Sequence, residues 1–124
     1  MPHERWITSV EDILESSRKI QRYTQGMTFD VFARNELVVD GVIRNFEIIG
    51  EAARQVPAEK TLLNPEIPWS RMIGMRNVMI HNYSGVSLRT VWDTIQVALP
   101  PLIVQLEALL AAVRLDEDDA SSSP

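Results

Sequence analysis

Arg76, His81 and Tyr83 set a guanidinium, an imidazole and a phenol within the stretch Met75-Arg76-Asn77-Val78-Met79-Ile80-His81-Asn82-Tyr83, in a sequence that otherwise reads as plain helix. The first two groups suffice to cleave a phosphodiester without metal. An imidazole can move a proton to or from a 2'-hydroxyl or a leaving oxygen, while a guanidinium holds the phosphate and its developing charge. RNA supplies its own nucleophile. Such a reaction wants both a base and an acid, yet the other histidine, His3, stands in a segment expected to fray. Each chain therefore offers one credible imidazole. A two-fold dimer would bring two copies of His81 and Arg76 into one cleft, so the chemistry alone predicts a homodimer.

The same residues have structural readings. At about 100° per residue, Arg76 and Tyr83 fall inside the apolar stripe of Trp69, Met72, Ile73, Met79 and Ile80. A guanidinium keeps its charge, so there it needs an anion, a carboxylate partner or a wet interface. Glu47 or Glu51, four apart on the preceding long helix, could be that partner. His81 lies round from the stripe and could simply satisfy helix-terminal carbonyls, unless the last turn near Asn82-Tyr83-Ser84-Gly85 re-aims it. Asn77, one turn before His81, could orient it or touch substrate. These readings leave open a non-catalytic helical adaptor or nucleotide-binding module.

Other chemistries lack their residues. With no cysteine and two distant histidines, thiolate and paired-histidine metal sites are not expected. No Gly-x-Ser-x-Gly elbow or phosphate-cradling glycine loop occurs, and no cofactor is expected.

The elements that would position the motif follow from apolar spacing. Residues 4 to 24 predict an amphipathic helix built on Ile7, Val10, Ile13, Leu14, Ile20 and Tyr23, ended by Gln25-Gly26. Thr28 is an N-cap candidate for a short turn from Phe29 to Phe32. Residues 34 to 56 predict a long helix with Val38, Val42, Phe46, Ile49 and Ala53 inward, and Asp40, Arg44, Glu47, Glu51 and Arg54 outward. Three prolines between Pro57 and Pro68 predict a loop or a single turn. The motif helix then starts near Pro68. Ser87 is suited to cap the next helix, with Val86 and Val91 stapling it, and Leu88, Val91, Trp92, Ile95 and Leu99 facing inward. Pro100-Pro101 should kink or interrupt that helix before a last one through Leu102, Ile103, Leu106, Leu109, Leu110 and Val113. The expected fold is all-α, an antiparallel bundle of four to five helices.

The chain has 124 residues, 45% apolar and 23% charged, which fits one globular domain, residues 1–115. Residues 116–124 form an acidic, serine-rich tail expected to be disordered. The net charge of −5 argues against nucleic acid at first sight, but Asp116, Glu117, Asp118 and Asp119 supply four of the acids. The body is nearly neutral and permits an RNA site. The sequence shows no signal-peptide pattern and no uncharged run of membrane-spanning length, so a cytoplasmic protein without a membrane partner is expected.

Read as Arg-x4-His-x-Tyr within Ile73 to Tyr83, the motif resembles the signature of the HepT toxins of the HEPN superfamily. Val42-Ile43-Arg44-Asn45-Phe46-Glu47-Ile48-Ile49-Gly50-Glu51-Ala52-Ala53 resembles that family too, as do Gly85-Val86, Val91-Trp92-Asp93 and Leu99-Pro100. The likeness runs over residues 4 to 113. It implies a HEPN-like homodimer and a metal-independent endoribonuclease, with tRNA the expected target and Arg76 and His81 catalytic, Asn77 assisting. It also implies a type VII-like toxin–antitoxin pair, in which an MntA-like minimal nucleotidyltransferase antitoxin transfers AMP to the motif tyrosine, here Tyr83. AMP adds bulk and negative charge, which beside Arg76 would block the phosphate site.

Overall fold

A computed structural model describes residues 4–81 and 87–122, leaving out the side chains of Val78, Ile80, His81 and 120–122. Four long helices carry the fold: α1 (Arg5–Thr24), α3 (Glu36–Arg54), α5 (Trp69–His81) and α7 (Leu99–Ser122). Three six-residue helices join them: α2 (Phe29–Arg34), α4 (Ala58–Leu63) and α6 (Leu88–Asp93). No strand occurs among the described residues. In this all-α bundle α3 is central, packed on α1 along one side and on α5 along another, while α7 lies along α1. Tyr23 of α1 lies over Gly41, whereas Asp12 shares a groove with Glu51, so α1 and α3 run antiparallel.

The caps stand where local chemistry puts them. Thr28 accepts from the Val31 amide, Asn35 from Val38 and Ser87 from Thr90, each satisfying a first-turn donor with no intrahelical partner. Asn35 also splits the region expected to start one long helix, ending α2 and beginning α3. Gly26 adopts φ 75° after α1, a left-handed conformation that glycine enters without a Cβ penalty. Between Pro57 and Pro68, where a loop or a single turn was expected, the chain makes a six-residue helix, with Pro57 at its N-cap where no amide donor is needed. The expected helix end at Ser84-Gly85 and the Val86 half of the staple lie outside the described residues.

The core gathers the predicted faces: Val10, Ile13 and Ile20 of α1, Val42, Phe46 and Ile49 of α3, Met72 and Met79 of α5, and Leu99, Leu102, Leu106 and Leu110 of α7 are all buried. Tyr23 departs from its expected face. It is exposed, with its ring laid against the bare backbone of Gly41.

Two expectations for the C-terminal half need correction. Pro100-Pro101 neither breaks nor ends the helix: the five residues Thr94–Ala98 widen into a π turn, in which the Leu99 amide donates to Thr94 O, five residues back. That register supplies extra backbone just ahead of two residues that cannot donate, and so relieves the clash a proline makes with the preceding turn. The acidic run, expected to be disordered, continues α7 as exposed helix through residue 119, and the backbone stays helical to Ser122. Once a helix exists, each added residue gains a hydrogen bond without a new nucleation cost.

Candidate active site

The site is set by the crossing of α3 and α5. At Gly50 the helices approach so closely that a Cβ there would lie 2.1 Å from Arg76 Cβ and 2.8 Å from the Met72 carbonyl oxygen. A glycine inside a helix costs about 1 kcal/mol relative to alanine. Here it lets the Arg76 stem lie flat against the α3 backbone, which fixes where the guanidinium emerges.

The Arg76 side chain is only 21% exposed, and the two ends of its guanidinium have partners. Nε stands 3.0 Å from Glu51 Oε2, while Nη1 donates to Asn77 Oδ1 at 3.3 Å. Of the two carboxylates expected as candidates, Glu51 is therefore the partner. Glu47 instead pairs with Arg44 at 3.4 Å. Arg54 Nη1 also approaches Glu51 Oε2, at 3.7 Å, yet that oxygen is shielded from solvent and receives no aligned hydrogen bond. The Arg76–Glu51 contact is thus an ion pair by distance without a directed N–H bond, weaker and easier to exchange than a forked one.

Around it lies an open groove of about 340 Å³, lined by Asp12 of α1, Arg44, Glu47, Glu51 and Arg54 of α3, and Arg76 of α5. Three guanidiniums face three carboxylates there. Near-balance of charge means that a phosphate entering the groove has to displace a carboxylate from a guanidinium, and the undirected contact at Arg76 is the natural one to yield. A larger hollow of about 590 Å³, lined by Arg18, Arg22 and Gln96 among others, holds none of the predicted site residues. Among the described residues no three His, Cys, Asp or Glu side chains stand together as a metal site.

Asn77 is exposed and touches Arg76 rather than standing apart. His81 is the last residue of α5, five after Arg76. Its side chain, and Tyr83 with the rest of 82–86, lie outside the described residues. Reasoning from spacing assigned no role to Gly50 and did not place Asp12 in the groove. The signal for Gly50 was present: a glycine within an unbroken helical pattern calls for a packing reason.

The model of the family described as "Ribonuclease HepT-like" matches residues 13–109, more than half of the chain. The chain belongs to the HepT-like ribonuclease family. It is 39% identical over 100 residues to a protein of Thermococcus cleftensis named "Probable ribonuclease HepT", covering 81% of this chain and 91% of that one. It is 30% identical over 120 residues to "Putative RNase MJ0127" of Methanocaldococcus jannaschii, covering 97% and 99%, and 33% identical over 101 residues to "Putative RNase TTE0752" of Caldanaerobacter subterraneus, covering 82% and 90%. No solved structure matches. The HepT-like match takes in Gly50, Glu51, Arg76, Asn77 and His81, and stops before the acidic run.

Proposed function

We propose that this chain is an endoribonuclease toxin in which Arg76 and His81, drawn from both protomers of a homodimer, cleave RNA without metal. The observation that carries the reading is Arg76: a guanidinium held by Glu51 and Asn77 at the edge of an open groove, within a HepT-like ribonuclease match. One His81 takes the proton from the 2'-hydroxyl, whose oxygen attacks phosphorus. The P–O5' bond breaks, the second imidazole gives its proton to the leaving oxygen, and a 2',3'-cyclic phosphate remains. Arg76 holds the non-bridging oxygens as charge develops on them. Asn77 keeps the guanidinium oriented. The substrate class is RNA, with tRNA as the target.

Neutralisation follows from the same groove. An MntA-like nucleotidyltransferase antitoxin transfers AMP from ATP to the Tyr83 hydroxyl, releasing pyrophosphate, and the new phosphodiester competes for Arg76. The pair works as a type VII-like toxin–antitoxin system in the cytoplasm.

Replacing His81 with alanine should abolish cleavage of bulk tRNA in EDTA while leaving the solution mass of the protein unchanged. Retained cleavage would sink the assignment and favour the adaptor reading, in which the Arg76–Glu51 pair is only an anchor. For regulation, co-expression with the genomically adjacent nucleotidyltransferase should raise the intact mass by one or more AMP units. Full neutralisation of a Tyr83→Phe chain would mean that binding, not modification, is the control.

A further inference from the structure

Helix α7 is apolar on two faces, and the fold uses one. Leu99, Leu102, Ile103, Leu106 and Leu110 enter the core. On the other side Pro101, Val104, Ala108, Ala111 and Leu115 follow one another at alternating steps of three and four, and all five are exposed, with Val97 ahead of them in the π turn. Val97 is 74% exposed, and Val104 and Leu115 are each 65%. Alternating steps of four and three draw one line along a helix and are the spacing of a coiled-coil seam. The same doubling explains why Leu88–Asp119 contains an 18-residue window of mean hydropathy 1.7 although only 33% of it is buried. A helix apolar nearly all round is normally covered on every side.

We infer that this seam docks against the same seam of a second copy of the chain, with the two α7 helices antiparallel. The small residues sit in the middle. A two-fold axis between Ala108 and Ala111 sets each alanine against the other in the second copy, so the backbones can approach closely, and sets Val104 against Leu115 on either side. Charge selects the direction. Glu107 and Arg114 lie on one edge of the seam, seven apart, so an antiparallel copy brings each Glu107 near the other chain's Arg114. Glu107 already meets Arg18 at 3.0 Å, both half-exposed, and its second oxygen can serve Arg114. A parallel copy would instead stack two runs of Asp116 to Asp119 side by side, whereas the antiparallel one parts them to opposite ends. In this register the facing apolar residues run from Val104 to Leu115, about 16 Å of helix. Two such faces bury less than the roughly 1,000 Å² of a stable interface, so association depends on concentration. The surface is distinct from the Arg76 groove, which α1, α3 and α5 build, so this contact adds to any pairing made there.

The absence of cysteine allows a clean test. Chains carrying Ala108→Cys and Ala111→Cys, one of them tagged to differ in size, are mixed, allowed to exchange and oxidised. The mixed disulfide should exceed either like-with-like disulfide several-fold. Predominance of like-with-like products, or equal amounts of all three, would overturn the antiparallel seam. Val104→Arg should halve the mass measured by light scattering at 100 μM and leave the melting temperature of the fold unchanged. An unchanged mass, or a wild-type chain that is a single subunit at that concentration, would also overturn the proposal. So would flotation of the wild-type chain, but not Val104→Arg, with phosphatidylcholine vesicles, which would give the face to a lipid surface.

Discussion

Replacing Gly50 with alanine should harm both the stability and the activity of this protein. The added carbon would lie 2.1 Å from Arg76 Cβ and 2.8 Å from the Met72 carbonyl, against the roughly 3.5–4 Å at which carbons normally rest. Neither obstacle is the tip of a flexible side chain, so no rotamer change relieves it. Helix α5 must move away from α3 by about 1.5 Å. Overpacking of this kind costs typically about 1–3 kcal/mol, and the upper end applies because backbone is involved. About 1 kcal/mol returns through alanine's better helix propensity, leaving a net loss near 2 kcal/mol. For 124 residues the unfolding entropy gives about 4 °C per kcal/mol, hence a fall of about 8 °C in Tm by calorimetry. The shift also carries Arg76 away from the 3.0 Å contact with Glu51. A displacement of about 1 Å can cost 100-fold in rate, so single-turnover RNA cleavage should drop about that much. The control is Gly74→Ala on α5, where a Cβ meets nothing within 4 Å. It should gain about 1 kcal/mol and keep its activity. If Gly50→Ala instead matches Gly74→Ala in both readings, the close crossing is wrong.

Three other outcomes are expected. Glu51→Gln removes the carboxylate that competes for Arg76, so in a His81→Ala background RNA should bind several-fold more tightly at 50 mM salt by fluorescence anisotropy, the gain shrinking as salt rises. Asn35→Ala deletes the cap on the Val38 amide and should lower stability by about 1 kcal/mol in urea titration, with an unchanged m-value. Trp69→Phe loses the 3.0 Å indole bond to the Asn64 carbonyl and part of a buried ring, which should cost about 1–3 kcal/mol in the same assay.

Much of the fold was legible because it follows local rules. Apart from Tyr23, the α1 and α3 faces read correctly from their spacing, and Thr28, Asn35 and Ser87 have the side chains that caps require, although Asn35 was absorbed into a helix expected to begin one residue earlier. The stripe placed Arg76 among hydrophobes and so demanded a partner. It could not choose between Glu47 and Glu51, because one helix turn separates them and only the crossing angle of α3 and α5 decides which faces Arg76. Gly50 and Asp12 were missed for the same reason: their part in the site depends on contacts between helices, which periodicity within one helix does not encode. The prolines misled in a different way. Their effect depends on what the preceding turn can give up, and a wider turn was available at Thr94–Ala98.

That wider turn absorbs one surplus residue ahead of Pro100 and, by winding more slowly, keeps the faces of the chain on either side of it in step. Deleting Gln96 would return the segment to ordinary winding, leave the buried leucines of α7 against α1, and set the Pro100 ring against the carbonyl of the preceding turn. A residue lost between Asp93 and Leu99 should therefore be tolerated better than one lost farther along α7, where the deletion would turn the leucines beyond it by about 100° toward water.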